Sequence, residues 1–292
     1  MELRQLEYFA AIAAEGSFTG AAARVHTTQP NISAQIRTLE RELGSALFDR
    51  SGRTVRLTDA GRAALPAARR ALAAADDVSG AVAEVAGLVR GSLSVGMIEG
   101  CTIAPLFAAL GTFGATHPQI ELSLRESPSN DLIASVDDGR LDVALAGYGD
   151  DLPPGISSMT IIAERVVAVL PANGPSPRRP INLALLRDRS LICLPGGAGI
   201  RSVFDAAAAS AGGPIRPAIE ASSPEAIIEL VCSGMGVGIL SESIVADDER
   251  VAGVPIRDVD GSAHLGLLWG SRPSAAAARF VEVATDAFGA TH

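Results

Sequence analysis

The sequence predicts an α/β chain headed by a small winged helix-turn-helix, and three observations predict it. Ser17 to Arg50 places two short amphipathic helices around a tight polar turn. Thr58 opens a long Ala- and Val-rich run at helical spacing, and from Gly91 strand-like and helix-like segments alternate.

The first helix is expected from about Leu3 to Ala14, with Leu6, Phe9, Ala10 and Ala13 facing inward and Gly16 ending it. Ser17 caps the second, whose Ala21, Ala22 and Val25 are small enough for another helix to cross closely. Thr27 and Thr28 offer hydroxyl caps to the third, and Pro30 is tolerated in its first turn. Ile32, Ile36, Leu39 and Leu43 recur at i, i+4, i+7 and i+11, a buried stripe. Ser33, Ala34, Arg37 and Arg41 then fall on the opposite arc, at a width the DNA major groove accepts. Phe48-Asp49-Arg50 and Thr54-Val55-Arg56-Leu57, around Ser51-Gly52, read as a hairpin wing with arginines at its tip. DNA is the first partner this arrangement implies.

A net charge of −9 opposes that reading until it is divided along the chain. Residues 1–58 carry 7 Arg against 6 Asp and Glu, residues 59–90 carry 4 against 4, and residues 91–292 carry 13 against 23. The excess acid therefore belongs to the C-terminal part, and a local basic patch can still meet phosphates. All 24 basic residues are Arg, which together with the abundant Ala points to a GC-rich bacterial genome rather than to a function. Aromatic residues make up only 4%, so Ala, Val, Leu and Ile must build the cores.

Thr58 caps a helix expected to reach about Ala86. Ala60, Ala64, Ala67, Ala71, Ala74, Val78, Val82 and Val85 form a coiled-coil-like seam along it, which implies pairing with a second copy rather than a helix lying on its own domain. Pro66 is expected to kink or restart that helix. Beyond Gly91, strands are expected at Leu93–Met97, Ile120–Leu124, Leu141–Ala146, Val166–Leu170, Leu191–Leu194, Ile215–Glu220 and Gly238–Leu240. Helices are expected at Thr102–Phe113, Leu132–Asp138, Val203–Ala211 and Glu225–Ser233. This rhythm predicts mostly parallel sheets with helices on both faces, and Leu265–Trp269 with Ala275–Phe288 read as a strand and helix returning to the first lobe.

No apolar run is long enough to span a bilayer, and MELRQLEYF lacks a signal-peptide core, so no membrane partner and a cytoplasmic location are expected. Cys101, Cys193 and Cys232 are too scattered for a disulfide framework or a zinc site and read as small packing residues. An enzyme is disfavoured. PGGAGIRS (Pro195 to Ser202) has no Gly-Lys-Ser/Thr, and His26, His117, His264 and His292 form no cluster, so no catalytic residue, metal site or cofactor is expected.

The chain resembles the LysR-type transcriptional regulators over essentially its full length. The resemblance is densest from Leu6 to Gly61, in LEYFAAIAAEGSFTGAAARVHTTQPNISAQIRTLERELGSALFDRSGRTVRLTDAG, and continues through ESPSNDL, GRLDVALAG and LVCSGMGVGIL. It implies a DNA-binding domain (1–58), a linker and dimerisation helix (59–90) and a two-lobed, periplasmic-binding-protein-like effector domain (91–292; lobe I 91–160 and 265–292, lobe II 161–264). It further implies a dimer or dimer of dimers that meets operator DNA, a small-molecule effector and RNA polymerase. Gln29, Pro30, Ser33 and Arg37 are implied at the DNA surface; of these the residue pattern itself places Ser33 and Arg37 there. Gln29 at the helix tip suits adenine, and Arg37 suits guanine or phosphate. Thr27 and Thr28 reach phosphates or cap, and Arg50 and Arg53 on the wing are backbone contacts.

Ligands of α/β sheets settle outside the carboxyl ends of strands. Those ends, and the segments implied to touch the effector between the lobes, include Gly100, Cys101, Thr102, Ser129, Asn130, Gly147, Gly199, Ile200, Arg201 and Ser222. Ordinary helix capping is the competing role for their hydroxyl and amide groups. The sequence departs from the family at Gly100, where a hydroxyl residue often stands, and Glu99 brings a carboxylate that would repel an anionic effector. A solute-binding protein would fit the lobes alone, but not the helix-turn-helix before them.

Overall fold

A computed structural model describes residues 1–50, 55–85, 91–174 and 180–290. Three helices, α1 (Leu3–Glu15), α2 (Phe18–Arg24) and α3 (Gln29–Leu43), precede the antiparallel strands β1 (Phe48–Asp49) and β2 (Arg56–Leu57). Gly16 ends α1 in a left-handed conformation, and the Ser17 hydroxyl accepts from the Gly20 N–H to cap α2. Tyr8, Phe9 and Ile12 of α1, Ala21 of α2, and Ile32, Ile36 and Leu39 of α3 make one core with Leu47 and Phe48. Burying the large apolar side chains among them, at about 1.5–3 kcal/mol each, fixes the crossing of α2 and α3. Leu43 departs from the expected stripe: it is 44% exposed, because the last turn of α3 runs past the helices that cover its middle.

The helix α4 (Asp59–Val85) starts on Thr58, whose hydroxyl accepts from the Gly61 N–H. It neither breaks nor restarts at Pro66, which sits inside a continuous helix. Its inner positions Leu65 and Ala68 complete the core of the winged unit, so the first half does lie on its own domain. Ala67, Ala71, Ala74 and Val78 of the predicted seam are exposed, and nothing in the single chain covers them. The side chains of Val82 and Val85 lie outside the described residues.

The remainder folds as β3 (Gly91–Ile98), α5 (Ala104–Thr116), β4 (Ile120–Ser127), α6 (Ser129–Asp137), β5 (Val143–Tyr148), β6 (Ile156–Pro171), α7 (Leu183–Arg187), β7 (Leu191–Cys193), α8 (Gly199–Ser210), β8 (Ile219–Glu220), α9 (Pro224–Cys232), β9 (Val237–Ser241), α10 (Glu242–Ala246), β10 (Val251–Pro255), β11 (Ser262–Gly270) and α11 (Ala275–Gly289). Strand order is β4-β3-β5-β11-β6-β9-β7-β8, with β10 also on β6. β3 pairs in parallel with β4 and β5, and β7 with β8 and β9. The sheet is nonetheless mixed, because β6 and β11 run antiparallel to their neighbours.

β6 was expected only from Val166. It starts ten residues earlier: Ile156 to Arg165 pairs with β11, and Val166 to Pro171 pairs with β9 and β10. The first stretch alternates between half-buried and exposed residues, a weak strand signal, whereas Val166 to Val169 is fully buried. Buried clusters form on both faces of the sheet in each lobe, four in all among the described residues. One gathers Leu93, Val95, Leu106, Phe113, Leu145 and Phe280, and another Ala168, Leu191, Phe204, Ala208 and Ile239.

Gly61 shows how tightly α4 lies on the wing: a Cβ there would stand 2.1 Å from the Leu47 carbonyl oxygen. An exposed helical Gly→Ala change ordinarily stabilises a protein. Gly61→Ala is expected instead to destabilise the winged unit by about 1–3 kcal/mol through overpacking, checked by urea denaturation of the full chain.

Candidate nucleic-acid interface and inter-lobe cleft

The outward face of α3 carries Gln29, Pro30, Ala34, Arg37 and Arg41, all exposed. Arg37 makes no hydrogen bond or ion pair with any described residue, so its guanidinium is available to a ligand. Thr28 is the N-cap residue of α3, but its hydroxyl makes no capping bond. Thr27 is tied down instead, accepting from Asn31 Nδ2 at 2.8 Å. Ser33 departs from its expected place: it is buried at 8% exposure, and its hydroxyl accepts from Gln29 Nε2 at 3.1 Å. Ser33 directly follows buried Ile32, at the edge of the inner stripe, and Gln29 lies one turn before it on the same ridge. Gln29 must release Ser33 to offer both amide groups to a base.

The wing is held by a residue that the sequence reading passed over. Glu40 Oε1 accepts from the Leu47 and Phe48 amides at 2.9 and 3.3 Å, and Oε2 accepts from Arg50 Nη2 at 2.9 Å. Arg50 also lies over the Phe18 ring at 4.9 Å. It thus braces α3, α2 and the wing together as well as facing solvent. Arg53 lies outside the described residues.

The second candidate site is a cavity of about 860 Å³ between the two lobes, a volume typical of small-molecule sites. Asn130 and Gly147 line it, with Ile133, Ala134 and Asp137 of α6, Val203 and Ala206 of α8, and Asp258, Asp260 and Gly261. Ser129 is buried beside it, its hydroxyl accepting from the Gly147 N–H at 3.1 Å. The lobes touch through glycine. A Cβ on Gly199 would stand 2.5 Å from the Tyr148 nitrogen, and one on Gly197 would stand 2.4 Å from Asn130 Cγ.

The other predicted residues are not brought into this cavity. Gly100 lies in a turn closed by the Cys101 N–H on the Ile98 carbonyl, and Cys101 and Thr102 lead irregularly into α5, which starts only at Ala104. Ser222 is exposed, and it is Ser223 that caps α9. Ile200 packs on the core of the second lobe. Arg201 is 9% exposed and already engaged: Nε donates to both Asp205 oxygens at 2.8 and 2.9 Å, and Nη1 to Glu220 at 3.0 Å and the Leu194 carbonyl at 3.1 Å. Its short i, i+4 spacing to Asp205 was the sequence signal for that commitment.

Glu99 does not line the cavity, but Asp137, Asp150, Asp151, Asp258 and Asp260 do, and no basic side chain among the described residues joins them. Asp150 accepts from the Ser262 N–H and pairs with His264 Nε2 at 3.3 Å, while His264 stacks on Tyr148. Among the described residues no group of three His, Cys, Asp or Glu is placed to hold a metal, and no helix is long and apolar enough to cross a membrane.

Comparison with known proteins decides the family. Residues 3–62 match the family model of the bacterial regulatory helix-turn-helix protein, lysR family, and residues 86–289 match that of the LysR substrate binding domain. The chain belongs to the LysR family of DNA-binding transcriptional regulators. One LysR relative, the uncharacterized HTH-type transcriptional regulator YnfL of Escherichia coli K12, is 31% identical over 92% of this chain and 92% of its own length. Full-length OxyR from Pseudomonas aeruginosa, solved as a point variant, superposes with a TM-score of 0.70 at 27% identity, covering 99% of this chain and 94% of that one. Full-length CbnR in complex with its target DNA superposes with a TM-score of 0.52 at 27% identity, covering 98% and 100%. These LysR relatives are regulators and not enzymes, and the architecture is theirs: an N-terminal helix-turn-helix followed by a substrate-binding α/β domain.

Burial pushes the Cys193 thiol up to about 12, so at pH 8 only about one molecule in 10⁴ carries the thiolate there. In the native protein, exposed Cys232 is expected to react with a thiol reagent within minutes and Cys193 only on unfolding. Mass spectrometry of the labelled peptides checks this.

Proposed function

We propose that this LysR-family chain reads operator DNA with Gln29 and Arg37 at base edges and Pro30, Thr27 and Thr28 near the backbone, with Arg50 and Arg53 of the wing on phosphates. The observation that carries it is Arg37, exposed at the centre of the outward face of α3 and without a partner among the described residues, while Ile32, Ile36 and Leu39 of the same helix are buried. Residues 1–58 serve as the reader, 59–90 as the linker and 91–292 as the sensor. The uncovered seam Ala67, Ala71, Ala74 and Val78 supports pairing of two chains through α4, and hence a dimer or dimer of dimers. Such a regulator works where the DNA is, in the cytoplasm, and acts on RNA polymerase.

The effector occupies the inter-lobe cavity, against Asn130, Gly147 and the N-terminus of α8 at Gly199, with Ser129 setting the position of Gly147. Five carboxylates around one partly desolvated space disfavour an anion, the same objection that Glu99 raised. Closure of the cleft changes the angle between paired winged domains, which must match half-sites about 34 Å apart.

Gel-shift titration against the DNA upstream of its own gene tests the reader. Gln29→Ala and Arg37→Ala are each expected to cost about 1–3 kcal/mol of discrimination, whereas Arg50→Ala weakens binding to all sequences alike. Wild-type affinity and selectivity in the Gln29→Ala, Arg37→Ala double variant contradicts the assignment. For the sensor, a metabolite at 100 times its dissociation constant is expected to stabilise the chain by about 2.7 kcal/mol, and Gly199→Ala, which wedges the lobes apart, is expected to abolish that thermal shift.

A further inference from the structure

Among the described residues α4 meets the sensor beside α11 and, through charged side chains, at the end of α6. Arg69 and Arg70 of α4 meet the C-terminal end of α6. Arg69 Nη1 donates to Asp138 Oδ2 at 3.1 Å, with side chains only 16% and 19% exposed, and Arg70 Nη1 donates to the Asp137 carbonyl at 3.3 Å. Asp138 is the C-cap of α6, and Arg140 Nε donates to both its carboxylate oxygens. The turn that follows is equally close: a Cβ on Gly139 would lie 3.8 Å from Arg69 Cβ. Cations suit this position, because the last carbonyls of a helix carry partial negative charge. Burial lowers the Arg69 pKa, and Asp138 opposes that shift. Losing Asp138 leaves the half-buried Arg69 guanidinium without its counter-charge, whereas Asp138 without Arg69 keeps Arg140, so the pair matters more to Arg69 than an exposed one would.

The same short helix reaches the cleft. Its first residue, Ser129, holds the Gly147 N–H, and its second, Asn130, abuts Gly197 of the other lobe. Leu132 and Val136 pack into the first lobe, while Ile133, Ala134 and Asp137 line the cavity. Nine residues span about 13 Å, and close packing lets so short a helix move only as a unit. The geometry points to α6 as a rigid connector between the inter-lobe cleft and α4, clamped to the linker helix by Arg69 and Arg70. This deepens the sensor reading and rests on the cleft being the effector site. A ligand that presses on the cavity face of α6 then shifts the clamp, and through it the helix that carries the winged unit.

Coupling of this kind must run in both directions. Peptide-resolved hydrogen exchange of the full-length protein, with neither effector nor DNA, reads it. Arg69→Glu is expected to speed exchange about fivefold or more in the last turn of α6 and also at the far end around Gly147. Ser129→Ala, at the cleft end, is expected to speed exchange in α4 around Arg69. Adding Asp138→Arg to Arg69→Glu restores the pair and the slow exchange, and Arg69→Gln serves if the charge reversal does not fold. Exchange changes confined to the last turn of α6, or an α4 indifferent to Ser129→Ala, overturn the proposal. A thermal-shift screen of metabolites on the wild type keeps the two readings apart: no stabilising metabolite sinks the cleft as effector site while leaving this coupling measurable.

Discussion

The chain passes between the two lobes on β6 and β11, whose antiparallel pairing spans the crossover with one register shift, and the behaviour of the sensor depends on that narrow tie. Each lobe is stiffened by a sheet and its own hydrophobic core, whereas the join is two strands wide. Bending is therefore cheapest there, and the cleft becomes the soft coordinate of an otherwise close-packed domain. A register shift at Leu265/Gly266 marks the place, next to Tyr148, whose hydroxyl bonds to Thr160 at 2.8 Å. The backbones of Gly147 and Gly199 set the limit of closure, because glycine alone lets them approach so closely.

At the other end, charge is distributed so that one acidic protein can carry a DNA reader. The acid lies in the sensor, including five carboxylates on its cavity, and the outward face of α3 presents Arg37 and Arg41. Glu40 is an acidic residue on the reader helix, but it spends both oxygens on the wing amides and Arg50, so it organises the surface more than it repels phosphate. α4 joins the two ends physically. Its inner residues belong to the winged core, Arg69 and Arg70 hold α6, and small residues such as Ala67, Ala71 and Ala74 stay exposed.

The reader was almost fully legible in the sequence, because its signals are local: caps, an i, i+4, i+7 stripe and a turn. It failed at Ser33 and Leu43, where the depth of tertiary cover decides burial and spacing alone cannot. The parallel strands of both lobes were legible from their apolar runs. The first half of β6 was not, since a strand crossing between lobes is half-solvated and loses the pattern. In the cleft, Ser129, Asn130, Gly147 and Gly199 could be found as helix starts and strand ends. The acidic lining could not, because Asp137, Asp150 and Asp258 are far apart in the chain and meet only through the topology. Arg201 was misplaced for the same reason: Glu220, its distant partner, comes within reach only when β8 pairs with β7.

Methylation interference on the DNA upstream of the gene, read with the full-length protein, tests most directly whether paired copies of α3 enter the major groove. Guanine N7 lies in the major groove and adenine N3 in the minor. The structure predicts that N7 methylation blocks binding at two patches separated by whole helical turns of about 10 base pairs. Interference at adenine N3 alone, or at a single unpaired patch, contradicts it.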